Sequence, residues 1–150
     1  MRADVVRSEP STERVDLSVV VVSWNTRELL AECLESIGAH VPADVTTEVV
    51  VVDNASDDGT AEMVTARWPD VELVVHDVNV GYQRANNQAI RRCSGEHLLL
   101  INADATLTPG CLENMRARLD ADPRAAIVGP RLVYPDGSWQ RWTAGHRLDA

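Results

Sequence analysis

The chain has 150 residues, 45% apolar and 25% charged, enough for one globular domain with a real core and too few for two. Its net charge of −9 excludes a general nucleic-acid binder, which needs a basic face. No stretch approaches the roughly 20 apolar residues of a membrane span. All fourteen basic residues are arginine, so the GxxxxGK phosphate loop, which requires lysine, is excluded as well.

Residues 1–16, MRADVVRSEPSTERVD, are polar and mixed in charge. They lack the apolar stretch of a secretory signal and read as a loosely ordered lead-in to a domain over 17–150. Leu17 to Ser23 (LSVVVVS) is a continuous β-branched run and predicts the first strand. Arg27 to Ala39 predicts a helix with Leu29, Leu30, Cys33, Leu34 and Ile37 on one face. Glu48 to Asp53 is the second strand. Asp57 or Asp58 is expected to cap a second helix that carries Ala61, Val64 and Trp68 and stops at Pro69.

Val71 to His76 predicts a third strand, and Tyr82 to Cys93 a helix ended by Gly95. His97 to Asn102 is the fourth strand, and its wholly apolar Leu98–Ile101 stretch reads as buried on both faces. Thr108-Pro109 offers an N-cap with proline at the first helical position, opening a helix through Leu112, Met115 and Leu119. Ile127 to Gly129 is a candidate fifth strand, and Tyr134 to Ser138 a turn.

Strands alternating with helices predict an α/β fold, a doubly wound and mostly parallel sheet flanked by helices. The natural strand order is 3-2-1-4, with ligands held outside the carboxyl ends of the strands where the order reverses. That rim brings Ser23-Trp24-Asn25 beside Asn102-Ala103-Asp104, with Asp53 one strand along. The cysteines Cys33, Cys93 and Cys111 are widely spaced and expected at buried helical positions, as in a reduced cytosolic protein. No Cys or His spacing suits zinc, and the four histidines suggest no role.

A carboxylate at a strand end, such as Asp104, can hold Mg²⁺ or Mn²⁺ together with substrate phosphates. The cation would resolve the conflict between an acidic protein and an anionic ligand. The competing reading of Asp104 is an ordinary turn cap. Asp53 can accept the imide N–H of a uracil or thymine ring; Asp57 and Asp58, in the same loop, suit helix capping. Trp24 offers either a flat face for a base or a plug for the edge of the core. Gly81 permits close backbone approach at a helix N-terminus, and Arg84 is either a phosphate contact or a solvated surface residue.

Four segments, in order and spacing, resemble the family 2 glycosyltransferases with their GT-A nucleotide-sugar-binding fold: VVVVSWN, VVVVDNASDDGT, NVGYQRANNQAI and LLLINADATLTPG. The tail GPRLVYPDGSWQRW is similar to a segment of the rhamnosyltransferase-like branch. The resemblance covers Leu17 to Trp142. It implies a donor site for a UDP- or dTDP-linked sugar, with Asp104 as ligand of Mg²⁺ or Mn²⁺ and Asp53 reading the base. Ser23, Trp24 and Asn25 would line the base pocket beside Asn54. Gly81, Arg84, Asn102 and Ala103 would border the rest of the donor. Asn102 replaces the first carboxylate of the family's DxD motif and leaves one where two are usual.

The resemblance also implies inverting transfer to a polysaccharide, cell-wall or lipid-linked acceptor, with the catalytic base beyond Ala150, so the chain corresponds to a donor-binding half. Leu107 to Leu132 would then form an unpartnered apolar surface, open to a partner chain or to self-association. Trp139, Arg141 and Trp142 are candidates for meeting the acceptor. The implied location is cytoplasmic, with peripheral membrane association in a full-length form, and nucleic acid is not an expected partner. The alternative is an inactive or partner-dependent nucleotide-sugar-binding fragment. A haloacid-dehalogenase-like phosphatase, whose DxDxT motif NADATL approximates, is disfavoured because Asn102 stands where its nucleophile belongs and no lysine is present.

Overall fold

The computed structural model describes residues 14–140. The elements are β1 (Leu17–Ser23), α1 (Arg27–His40), β2 (Thr47–Asp53), α2 (Thr60–Arg67), β3 (Glu72–Val75), α3 (Tyr82–Ile90), β4 (His97–Asn102) and α4 (Cys111–Ala121). The chain divides into two compact units, one ending at Thr106 and the other beginning at Leu107.

The first unit is built on a four-stranded parallel sheet in the expected order β3-β2-β1-β4. β1 is central, and all seven of its residues are buried. Val20 and Val22 of β1 and Val50 and Val52 of β2 pack on one face against Ala85 and Ala89 of α3. Small alanines at that contact let the helix lie close to the sheet. Val19, Val21 and Val51 alternate onto the other face and are fully buried too. The stripe Leu30, Ala31, Cys33, Leu34 and Ile37 supplies the buried side of α1.

Several expectations are corrected. β4 is not buried on both faces: among the described residues it pairs with β1 alone, its burial alternates, and Leu98 and Leu100 are 43% and 49% exposed. An unbroken apolar run does not reveal whether a second neighbour exists. α3 stops at Ile90, short of Cys93, because Arg91 to Cys93 form a turn through Cys93 N–H to Ile90. Gly59, at φ 80°, occupies the N-cap position of α2 where an aspartate is expected, and Asp58 accepts the Thr60 N–H from one residue earlier. Gly110, at φ 75°, takes that position in α4 in place of Thr108-Pro109. Both glycines reach a left-handed conformation that a side chain would penalise.

Of the cysteines, Cys33 is buried in α1, whereas Cys93 and Cys111 are half-buried, outside α3 and at the start of α4. In the second unit, Leu112, Met115 and Leu119 lie half-buried along α4. Residues 127–129 form no strand; a single antiparallel bridge instead joins Val133 to Trp139 around the predicted turn. Trp139 is half exposed, and Arg141 and Trp142 lie outside the described residues.

Candidate functional site

Parallel pairing puts the carboxyl ends of β1, β2 and β4 on one rim. Ser23 pairs with Asp53, and Val22 with Asn102. Sequence-predicted residues from three strands are thereby brought together within the first unit.

The β1 and β2 ends are laced to each other. Asn54 N–H donates to Ser23 O at 2.8 Å. Asn25 N–H donates to Ser56 Oγ at 2.9 Å, and Asp57 N–H donates to Asn25 Oδ1 at 2.9 Å. Two non-glycine residues here, Asn25 (φ 51°) and Ala55 (φ 69°), hold left-handed backbone, a conformation that is costly for alanine. Strain of this sort persists where surrounding bonds impose it, and it clusters at ligand sites. Asp53 is 1% exposed, with Oδ1 accepting the Ser56 N–H at 3.2 Å. Trp24 is 56% exposed, so it does not plug the core.

Asp58 ties the loop to α1. Its Oδ2 accepts the Arg27 N–H at 3.0 Å, a donor left unpaired at the helix start, while Oδ1 takes the Thr60 N–H and hydroxyl. Partial burial pushes the Asp58 carboxyl up, but the bonds from the Thr60 hydroxyl and from the Arg27 and Thr60 N–H groups outweigh it. The net position is below the ordinary value.

Asn54 is buried, and its amide is engaged inside the protein: Oδ1 accepts the Val80 N–H and His76 Nδ1, both at 3.0 Å, and Nδ2 donates to Asn79 Oδ1 at 2.8 Å. Asn79 Oδ1 also accepts the Gly81 N–H at 2.9 Å. Asn54 is thus a hub that fixes the loop before α3. His76, given no role from sequence, joins this network and reaches Gln88 Oε1 through Nε2. The signal for it in the sequence is the density of amides in NVGYQRANN.

At β4, Asn102 and Asp104 are exposed and Ala103 is buried, in a turn closed by Ala105 N–H to Asn102 O at 3.1 Å. The Asp104 carboxylate has no hydrogen-bond partner among the described residues, which does not favour the turn-cap reading. Below it, Cys33 Sγ lies 3.7 Å from Asn102 O. Burial, and secondarily the negative charge of Asp104, push the Cys33 thiol up to about 12. Gly81, at φ 85°, opens α3, and Arg84 is exposed without an ion-pair or hydrogen-bond partner among the described residues.

No cluster of three or more His, Cys, Asp or Glu suited to a metal occurs among the described residues. A hard divalent ion at this rim would therefore take Asp104 and draw its remaining ligands from phosphates and water, an arrangement Mg²⁺ commonly adopts. An open cleft of about 550 Å³ beside the β2–α2 loop is lined by Arg27, Ser56, Asp57, Glu62 and Met63, among others, but not by Asp53, Asn102 or Asp104. That cleft carries Asp57 and Glu62, whereas Asp53 and Asp104 belong to the rim.

The sequence model of glycosyl transferase family 2 matches residues 18–148. The chain is 35% identical over 131 residues to the succinoglycan biosynthesis protein ExoO of Rhizobium meliloti, covering 85% of this chain and 37% of that protein. It is 30% identical over 133 residues to an N-acetylglucosaminyl-diphospho-decaprenol L-rhamnosyltransferase of Mycobacterium tuberculosis, covering 81% and 43%. Among solved structures it resembles the mannosyltransferase PcManGT of Pyrobaculum calidifontis in complex with GDP-Man and Mn²⁺. The TM-score is 0.62 and the identity 35%, over 75% of this chain and 34% of that one. TarS 1–349 of S. aureus in complex with UDP-GlcNAc gives a TM-score of 0.61 at 27% identity, over 71% and 32%. The chain thus spans between 37% and 43% of the length of the two curated relatives named. With its sheet order, its rim and a family match across nearly its whole length, the chain belongs to glycosyl transferase family 2.

Proposed function

We propose that the β1–β2–β4 rim is the donor site of a glycosyltransferase and binds a nucleotide-diphospho-sugar with Mg²⁺ or Mn²⁺. The observation that carries this reading is the convergence of Asp53, Asn102 and Asp104 on one edge of a parallel sheet. Asp53 accepts an N–H from the base. A uracil or thymine imide supplies that donor, and so does guanine. Trp24 and Ser23 border the base, with Asn25 shaping the loop. Asp104 holds the cation, which when bound neutralises the diphosphate and stabilises it as a leaving group. Arg84, at the first turn of α3, adds positive charge for the phosphates, and Gly81 leaves room for them.

The wider activity rests on relatives. A diphospho-decaprenol is named in the rhamnosyltransferase relative, which favours a saccharide or lipid-linked acceptor and a cytoplasmic site at the membrane face. No helix among the described residues is long and apolar enough to cross a membrane. The base that deprotonates the acceptor in inverting transfer is assigned to no residue of this chain.

Calorimetric titration of the chain with UDP, dTDP and GDP, each with and without Mn²⁺, tests the reading. Metal-dependent binding of one nucleotide is expected. No binding by a folded sample would refute a self-sufficient donor site and favour a fragment that needs a partner.

A further inference from the structure

Tyr82 is the first residue of α3, and its hydroxyl donates a 2.8 Å hydrogen bond to Oδ1 of Asn102, the last residue of β4. Both residues are exposed, so burial does not force the contact. A neutral hydrogen bond of this kind contributes only about 0.5–1.5 kcal/mol to stability. Its larger consequence is orientation. A side-chain amide carries one oxygen that accepts and one NH₂ that donates. With Oδ1 committed to Tyr82, the Nδ2 hydrogens are what Asn102 offers a ligand. They suit a phosphate or hydroxyl oxygen and repel a cation.

Tyr82 is itself held in place before any ligand arrives. The N–H of Gly81 is fixed by Asn79 and that of Val80 by Asn54, while Asn86 Nδ2 donates to the Tyr82 carbonyl at 2.9 Å. A chain of bonds therefore runs from the end of β2, through the start of α3, to the end of β4.

We infer that Tyr82 is a positioning residue: it turns the Asn102 amide so that Asn102 donates a hydrogen bond to an oxygen of the nucleoside diphosphate and does not ligate the metal. Asp104 is then the sole metal ligand at this rim among the described residues. The inference rests on the donor-site reading of the same rim and adds how an asparagine works where a carboxylate is usual.

The test uses the whole chain and whichever of UDP, dTDP and GDP binds it tightest with Mn²⁺. Nucleotide affinity is read by calorimetry, and the metal environment by electron paramagnetic resonance of bound Mn²⁺. Tyr82→Phe removes one exposed hydroxyl, and circular dichroism checks that the fold is kept. It should weaken nucleotide binding about three- to tenfold, the range of one hydrogen bond, and leave the Mn²⁺ spectrum unchanged. Asn102→Ala should weaken it at least as much, again without altering the spectrum, and adding Tyr82→Phe to Asn102→Ala should cost nothing more. Asn102→Asp should change the spectrum and tighten Mn²⁺ binding by restoring a second carboxylate.

A Tyr82→Phe variant with unchanged nucleotide affinity overturns the inference. So does an Asn102→Ala variant whose Mn²⁺ spectrum changes. In either case the unsubstituted chain still binds, and the donor-site reading stands. If the unsubstituted chain binds no nucleotide with Mn²⁺, the donor-site reading falls and takes the inference with it.

Discussion

A Cβ placed on Gly95 would lie 2.5 Å from the backbone nitrogen of Ser18 and 2.6 Å from its hydroxyl. The turn leading into β4 therefore lies directly on β1, and Gly95 N–H donates to Ser18 Oγ at 2.8 Å. Gly95 reads from sequence as a helix stop, but it is needed for this close approach. Gly95→Ala should destabilise the chain by about 1–3 kcal/mol, as overpacking does. An unchanged urea midpoint would mean that the turn moves away freely.

Glu48 sits at the same junction and collects the Ser18 hydroxyl, the Ser94 N–H and hydroxyl, and the Gly95 N–H. Burial pushes its carboxyl up, and these bonds outweigh it, leaving the group below its ordinary value of 4.5. A carboxyl lowered in the folded state stabilises fully above that ordinary value. The contribution is lost as pH falls through the lowered one. Glu48→Gln should cost about 1–2 kcal/mol at pH 7, reduced from the usual charged-bond range because the group is only half-buried and solvent screens it. Denaturation at pH 7 and pH 3 should show the gap between variant and parent closing at the lower pH. A gap of equal size at both would remove the ionic contribution.

Asp53 and Asp104 should fail differently. Asp104→Ala, on the exposed turn, should abolish Mn²⁺-dependent nucleotide binding with the fold intact. Asp53→Ala should weaken binding with or without metal by about 1.5–3 kcal/mol, one lost charge-assisted hydrogen bond. Calorimetry on both variants, with and without Mn²⁺, separates these outcomes, and retained affinity in Mn²⁺ for Asp104→Ala would refute its assignment.

Asn54→Ala would strip the Val80 N–H of its acceptor and free Asn79 and His76 from their shared partner. The expected loss is about 1–3 kcal/mol, the cost of leaving buried polar groups unpaired. Amide hydrogen exchange should speed at Val80 and Gly81 more than in β1. Equal protection of that loop in variant and parent would show that Asn54 does not hold it.

Cys33 should be the slowest of the three thiols. Its thiol is pushed up to about 12 by burial and by the nearby Asp104 charge, so almost none of it is thiolate at pH 8. Cys93 and Cys111 are also raised by burial, but they are only half-buried. A thiol reagent at pH 8 should label Cys33 last, and at a useful rate only on unfolding. Early labelling of Cys33 in the native protein would show that α1 opens readily from the sheet.

Much of the architecture was legible in the chain. The alternation of LSVVVVS, TEVVVVD and HLLLIN with helical stretches implies parallel strands joined by crossovers, and few strand orders satisfy such connections. Once β1 lies between β2 and β4, Ser23, Asp53 and Asn102 must share a rim, because parallel strands end on the same side. Local chemistry served less well at helix starts. Asp57, Asp58 and Thr108 have capping side chains, but Gly59 and Gly110 take those places by reaching backbone angles that the loops require.

The sequence by itself determined the strand order and the rim that carries Asp53, Asn102 and Asp104, because periodicity and chain connectivity are properties of neighbouring residues. The tertiary structure alone decided that Leu98 and Leu100 of β4 stay half exposed, that Gly95 must admit β1, that Asn54 is a buried hub, and that Tyr82 holds Asn102. Each of these depends on groups far apart in the chain meeting within a few ångströms. An amide or an apolar side chain carries no local mark of which distant partner will satisfy it.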